Sequence, residues 1–304
     1  MEKQIRTFTS WMRSRQIGTL VFRSVVLLLL VLLSAPFTLP LIWLFSTALK
    51  LPEQVYVYPP QWIPDPARWS NFYDAWTAAP FTRFLLNTII TTAFPMLGEV
   101  FVSAVVAYSF ARVRWPGRDK VFALCVTTML MPWVATFIPI FLEFKTLGWV
   151  DTFLPLIVPS FFGTPFYIFM LRQFMLNLPM ELEDAARIDG ANTFQVFGLV
   201  IFPLLGPALA TVAIFSFMNH WNSFLGPMIY LHSPNLKTLS LGLATFESAM
   251  TGGAQAGAGA YSLVSTRLNL LMAAAFLINI PCIIVFILFQ KYFVRDALLS
   301  GLKG

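Results

Sequence analysis

Three groups of residues in this sequence have types and spacing that could do chemistry. The stretch Glu181 to Gly190, ELEDAARIDG, sets Glu181, Glu183, Asp184, Arg187 and Asp189 close together in a chain of which only 11% is charged. Glu99 is the one carboxylate well inside an apolar segment, and an ionisable group at membrane depth marks a functional site by default. The competing reading has Glu99 facing a bundle interior and hydrogen-bonded there. Asn219, His220, Trp221 and Asn222 form a polar and aromatic cluster in another apolar segment. Aromatics can stack on a sugar face while amides bond its hydroxyls, but such groups also bond helix to helix inside bundles. No metal site is expected, because His232 is the only other histidine and no Cys/His spacing supports one. Cys125 and Cys282 read as small buried hydrophobes.

A membrane must position these groups. Hydrophobic residues make up 58% of the 304, and the 31 Phe exceed what a soluble core of this length would need. The chain is expected to be all-α, a polytopic membrane protein with six transmembrane helices at about 24–49, 84–110, 121–142, 152–171, 199–230 and 268–289. A polar, basic tail over 1–23 precedes an apolar run too long for a signal peptide, so the first span is read as uncleaved. Prolines at 36, 40, 132, 139, 155, 159 and 165 predict bent helices, which a bundle tolerates. The loop over 50–83 carries prolines and Trp62, Trp69 and Trp76, side chains at home at a membrane interface. The loop from His232 to Ser265 contains the Gly/Ala-rich run Thr251 to Ala260 and reads as a flexible linker.

Orientation follows from charge. With both termini on one side, fourteen of the twenty Lys and Arg residues fall on that side, among them Arg112, Arg114, Arg118 and Lys120 in one short turn. The positive-inside rule then places both termini, and the stretch 172–198, in the cytoplasm. The net charge of +6 is thereby accounted for without nucleic acid.

Within that stretch, Pro179 suits a first helical position, with Glu181, Glu183 and Asp184 in the first turns where acidic side chains favour the helix dipole. Glu183 and Arg187 have the spacing to pair. The helix should end at Gly190, and Asn192 with Gln195 resembles a capping box for a second helix leading to the fifth span. Leu182, Ala185 and Ala186 share a face whose small residues admit a partner's groove.

The run Asp184-Ala185-Ala186, three residues, Gly190, nine residues, then Val200-Ile201-Phe202-Pro203 resembles the EAA signature of ATP-binding cassette importer permeases. Asp184, Val200 and Phe202 replace that pattern's Glu, Ile and Leu with the charge and apolar character kept. Glu183 and Arg187 to Ala191, and the segment Trp221-Asn222-Ser223-Phe224-Leu225-Gly226-Pro227, are similar to the carbohydrate-importer branch, in particular the six-span permease subunit of the maltose type.

The resemblance implies a single transmembrane permease domain over 1–304, with a coupling loop at 172–198. Glu183, Asp184, Ala185, Ala186, Arg187, Asp189 and Gly190 would form a cytoplasmic coupling helix seated on an ATPase subunit. It implies a second homologous permease, two cytoplasmic ATPases and an extracytoplasmic solute-binding protein as partners, in a bacterial or archaeal inner membrane. This chain has no Gly-x-x-x-x-Gly-Lys-Ser/Thr phosphate loop, so ATP and Mg would sit on the partner subunits, and the chain itself would be a transport component rather than an enzyme. Glu99, Asn219, Trp221 and Asn222 are candidates for the translocation path of a sugar or related solute, and the 232–265 loop resembles the one that reaches into the binding protein in maltose-type importers. The alternative is a stand-alone transporter using Glu99 as an ion relay, which an inverted repeat would support; none is evident.

Overall fold

The computed structural model describes the backbone of residues 2–251 and 267–301, and side chains over 22–132, 134–250 and 267–290. The Gly/Ala-rich part of the 232–265 loop lies outside the described residues. All regular structure within them is helical.

Helix α1, Glu2–Ala48, contains an apolar span over Phe22–Ala48. From Val25 the span is apolar on nearly every side, and Leu28, Val31, Leu32 and Phe37 stay exposed, as on a helix that meets lipid. Helix α2, Ser70–Thr77, lies in the proline-rich segment that follows. Helix α3, Phe81–Ala111, is the second span and carries Pro95 internally.

The expected third span is broken. Residues 118–146 form α4, Arg118–Thr128, and α5, Trp133–Thr146, separated by Met129 to Pro132. Neither piece alone approaches the roughly 20 residues needed to cross a bilayer. The break sits at Pro132, whose ring disfavours helical geometry at Met131 and which has no N–H to continue the ladder.

A fourth apolar stretch, Leu154–Leu176, comprises α6, Leu154–Ile157, a 3₁₀ turn, Val158–Phe162, and α7, Pro165–Leu176. It extends five residues past the expected end at 171. Next come α8, Glu181–Ile188, and α9, Thr193–Gln195, then π-helical turns over Val196–Ile201 and α10, Phe202–Leu204. Helix α11, Gly206–Trp221, is bent by 76° from the segment Thr193–Leu204. Pro203 and Pro207 each remove an N–H and press on the preceding turn, with Gly206 between them. The expected fifth span, 199–230, is therefore bent at its start, and it is interrupted after Trp221 before α12, Leu225–Tyr230. Helices α13, Leu239–Thr251, and α14, Leu268–Gly301, complete the chain, the latter carrying a span over Leu268–Gln290. Among the described residues four helices are thus long and apolar enough to cross a membrane, five with the bent pair.

The chain divides into two compact units. In the first, which joins Met1–Ala75 with Gly253–Phe276, Phe45 packs on Trp69, Phe72 and Phe276. The Asn71 amide donates to the carbonyls of Ala48 and Lys50 at 2.8 and 2.9 Å, satisfying the end of α1. The Lys50 amine lies 3.9 Å from the Trp43 ring centre, and burial pushes it below the usual lysine range.

The second unit, Trp76–Gly252 with Leu277–Gly304, is organised on α3. Its small residues Ala104, Ala107 and Ala111 let Ile168, Leu171 and Met175 of α7 and Ala208 and Val212 of α11 pack in one buried cluster. At Gly242 of α13 the Phe84 ring lies where a Cβ would stand. Asp151, at φ 63, ties the α5–α6 turn to the end of α12. Its carboxylate accepts from the His232 and Ser233 N–H groups at 2.9 and 2.7 Å and from the Ser233 hydroxyl. Those bonds from Ser233 hold the Asp151 carboxyl below its ordinary range.

Candidate functional site

Helix α8 is anchored at both ends by local sequence. Met180, not Pro179, is its N-cap, with the Met180 carbonyl accepting from Asp184 N–H at 3.1 Å. Pro179 thus stands one residue outside the helix rather than at its first position. The C-terminus closes as a Schellman motif: Ala191 N–H bonds Ala186 O at 3.0 Å and Gly190 N–H bonds Arg187 O at 3.1 Å, with Gly190 at φ 87. The expected capping box follows, Gln195 N–H to Asn192 Oδ1 at 3.0 Å and Asn192 N–H to Gln195 Oε1 at 2.8 Å.

One face of α8 is fixed to the end of α3. The guanidinium of Arg112, which caps α3, lies 3.1 Å from Glu183 Oε1, and the two side chains are 3% and 2% exposed. The N–H is off the line to the oxygen, so this is an ion pair more than an aligned hydrogen bond. Arg112 also donates to the carbonyls of Met175, in the last turn of α7, and Leu178, just beyond it, at 2.5 and 2.7 Å, and faces the Met180 sulfur. The Tyr108 hydroxyl donates to Glu183 Oε2 at 3.4 Å. One arginine therefore joins α3, the end of α7 and the start of α8. Glu183 is turned inward to Arg112, and the Glu183–Arg187 ion pair expected from spacing is not formed.

The opposite face is open. Asp184, Ala185, Arg187, Asp189 and Gly190 are exposed, while Ala186 is half-buried against the core. Ile188 is 85% exposed and Phe194 86%, two apolar side chains that residue-type reasoning passed over. Arg112 and Tyr108 were also missed. Arg112 read only as one more positive-inside charge, and its place in the last turn of an apolar helix was the available signal.

The second cluster centres on Glu99. It is 6% exposed and faces the interior, as one of the two readings held. Thr164 Oγ1 donates to Oε1 at 2.9 Å, Ser216 Oγ donates to Oε2 at 2.5 Å, and His220 Nε2 stands 3.3 Å from Oε2. The structure separates the other path candidates. Asn219 lines both a cavity of about 240 Å³ and an open cleft of about 760 Å³, and Asn222 lines the cleft. Trp221 is 5% exposed, stacked on Phe217, and its indole N–H bonds Ile278 O at 3.2 Å. It faces the packed side of α11, away from both spaces.

The sequence from Glu99 through both clusters, residues 99–298, matches the family described as binding-protein-dependent transport system inner membrane component. The chain belongs to this family. It is thus a membrane transport component rather than an enzyme. The chain is 30% identical over 270 residues to the probable ABC transporter permease protein YurM of Bacillus subtilis, covering 87% of this chain and 83% of that one. It is 33% identical to the arabinooligosaccharides transport system permease protein AraQ of Halalkalibacterium halodurans, over 77% and 79% of the two chains. It is 31% identical to the sn-glycerol-3-phosphate transport system permease protein UgpE of Yersinia pestis, over 91% and 95%. Among solved structures, a bacterial ABC transporter involved in the import of the acidic polysaccharide alginate aligns with a TM-score of 0.74 at 26% identity, covering 90% of this chain and 96% of that one.

Proposed function

We propose that this family member is a permease subunit of an ATP-binding cassette importer for a sugar or related solute, in which α8 transmits ATP-driven motion of partner ATPases to the membrane helices. The observation that carries the reading is the two-faced α8: a buried ion pair binds one face to α3, and a capped, charged face with the small Ala185 is left for a partner. In this reading Asp184, Ala185, Arg187, Asp189 and Gly190 meet the ATPase, with Ile188 beside them. Glu183 keeps its place in the coupling apparatus but acts from within, through Arg112.

Closure of two ATPases on ATP and Mg would displace α8 as a body. Because Arg112 ties α8 to α3 and to the end of α7, and α9 leads through the π-helical turns to α11, the displacement passes to three apolar segments together. The bend at Leu205 is the natural place for it to become a tilt of α11. The pathway reading has six crossings, with α4 and α5 in series as the third and the bent pair as the fifth, and both termini cytoplasmic. A second permease completes the path and an extracytoplasmic binding protein delivers the solute. Of the path candidates, Asn219 and Asn222 border open space. The ion-relay alternative is not favoured, since Thr164, Ser216 and His220 already occupy both Glu99 oxygens.

Asp184→Lys with Asp189→Lys, both exposed, and separately Ala185→Trp test the docking face. The expected result is normal insertion and thermal stability with loss of ATPase association or of ATP-dependent uptake; full uptake with all three changes in place overturns the reading.

A further inference from the structure

The cavity of about 240 Å³ is lined by Thr91, Ser160, Asn219, His220 and Ser223 together with three prolines and Leu156. Among the described residues no Asp, Glu, Lys or Arg lines it. It shares Asn219 and Ser223 with the larger cleft of about 760 Å³, where Phe137 and Phe224 add aromatic surface. The two spaces therefore meet at a polar threshold.

The niche offers polar groups that no neighbour engages. Ser160 is only 8% exposed, yet its hydroxyl makes no hydrogen bond among the described residues, and neither do the side chains of Asn219 and Ser223. Asn219 is exposed and Ser223 half-buried, so these side chains keep donors and acceptors free for a ligand. Thr91 spends its proton on the carbonyls of Asn87 and Thr88 and keeps lone pairs to accept with. Glu99 Oε2 faces His220 Nε2 at 3.3 Å, an ion-pair contact more than an aligned hydrogen bond, and this leaves Nδ1 as the ring nitrogen that can meet a ligand. A volume below the ~300 Å³ at which drug-sized pockets begin fits one ring with its hydroxyls rather than a chain.

We infer that this niche is a subsite for one neutral, polyhydroxylated ring of the transported solute, with the cleft taking the remainder and Glu99 acting as a positioning residue that aims His220. The inference rests on the permease reading. Mixed donors and acceptors without a fixed cation suit hydroxyls and leave a phosphate or carboxylate uncompensated. The engaged carboxylate explains why Glu99 is buried beside a solute path without itself being the contact.

The test uses the complex assembled with its partner permease, ATPases and binding protein in vesicles, with melibiose, raffinose and glycerol 3-phosphate as probes. A neutral sugar should be taken up and glycerol 3-phosphate should not. Ser160→Ala and Ser223→Ala should each raise the KM of uptake by about fivefold, the effect of one lost hydrogen bond. Glu99→Gln should raise KM more than it lowers maximal uptake, at unchanged yield of complex. A Glu99 of purely structural role would instead lower the yield and leave KM alone, which overturns its positioning role. Should that variant fail to assemble, the two serine variants still decide the subsite. An unchanged KM in both, uptake of glycerol 3-phosphate alone, or no uptake of any probe while the binding protein still stimulates ATP hydrolysis overturns the inference. Absence of both uptake and stimulated hydrolysis in the unaltered complex instead sinks the permease reading, and the subsite with it.

Discussion

Removing the Glu183 carboxylate should loosen α8 from the membrane helices, and the structure sets the scale. At 3.1 Å and an effective dielectric of about 20, the attraction between Arg112 and Glu183 is about 5 kcal/mol, most of which offsets the desolvation of two ions that are 3% and 2% exposed. Deleting one partner of such a pair strands the other, at about 3–5 kcal/mol. Arg112 would keep its two carbonyl acceptors at 2.5 and 2.7 Å, so Glu183→Ala should fall at the lower end, about 3 kcal/mol. For a domain of this size that corresponds to a melting temperature lower by roughly 6–12 °C.

The assay is thermal unfolding of the purified complex, read alongside ATP hydrolysed per solute moved. Asp184→Ala, one residue along on the exposed face, should melt like the unaltered protein. The paired replacement Arg112→Met with Glu183→Leu should recover much of the loss, because an apolar pair carries no stranded charge. Hydrolysis per solute should rise for Glu183→Ala, since α8 can then move without carrying α3. If Glu183→Ala melts with Asp184→Ala, or the paired replacement is no more stable than the single one, the buried clamp is not what fixes α8.

Gly242→Val should destabilise by about 1–3 kcal/mol, because even a Cβ there would stand 2.3 Å from the Phe84 ring; Phe84→Leu in the same chain should restore part of it, measured by the same unfolding assay. Asp151 has a carboxyl held below its ordinary range by Ser233, so its contribution is present above that range and lost as pH falls through the lowered value. Asp151→Asn keeps a residue that tolerates φ 63 but removes the charge, and hydrogen exchange at His232 and Ser233 should then show no acid-side rise beyond that of the unaltered protein at low pH.

What could be read from residue types was local. The corner at Gly190 and the Asn192–Gln195 box are set by neighbours within four positions, and both form as their chemistry requires. The apolar runs that became α1, α3 and α14 are long enough to be unambiguous. The inward placement of Glu99 followed from the penalty on a carboxylate facing lipid, although nothing in the sequence named Thr164, Ser216 or His220 as its partners. Composition failed where a few positions outweigh an average: Pro132 interrupts a run whose hydropathy is otherwise continuous, and Pro203 and Pro207 turn one expected span into a bent pair. Trp221 and Asn222 are adjacent, so a cluster of types suggested one shared path, yet a helix sends neighbours about 100° apart and only Asn222 borders the cleft. Glu183 is the sharpest case. Spacing offered Arg187 as its partner, worth a few tenths of a kcal/mol on a solvated face, whereas burial brings in Arg112 from the end of another helix at ten times that scale. A helix packed on one side and open on the other has to satisfy two surfaces, and only the solvated one leaves a signature in the stretch itself. The other is written at Tyr108 and Arg112, where it looks like the end of an ordinary span.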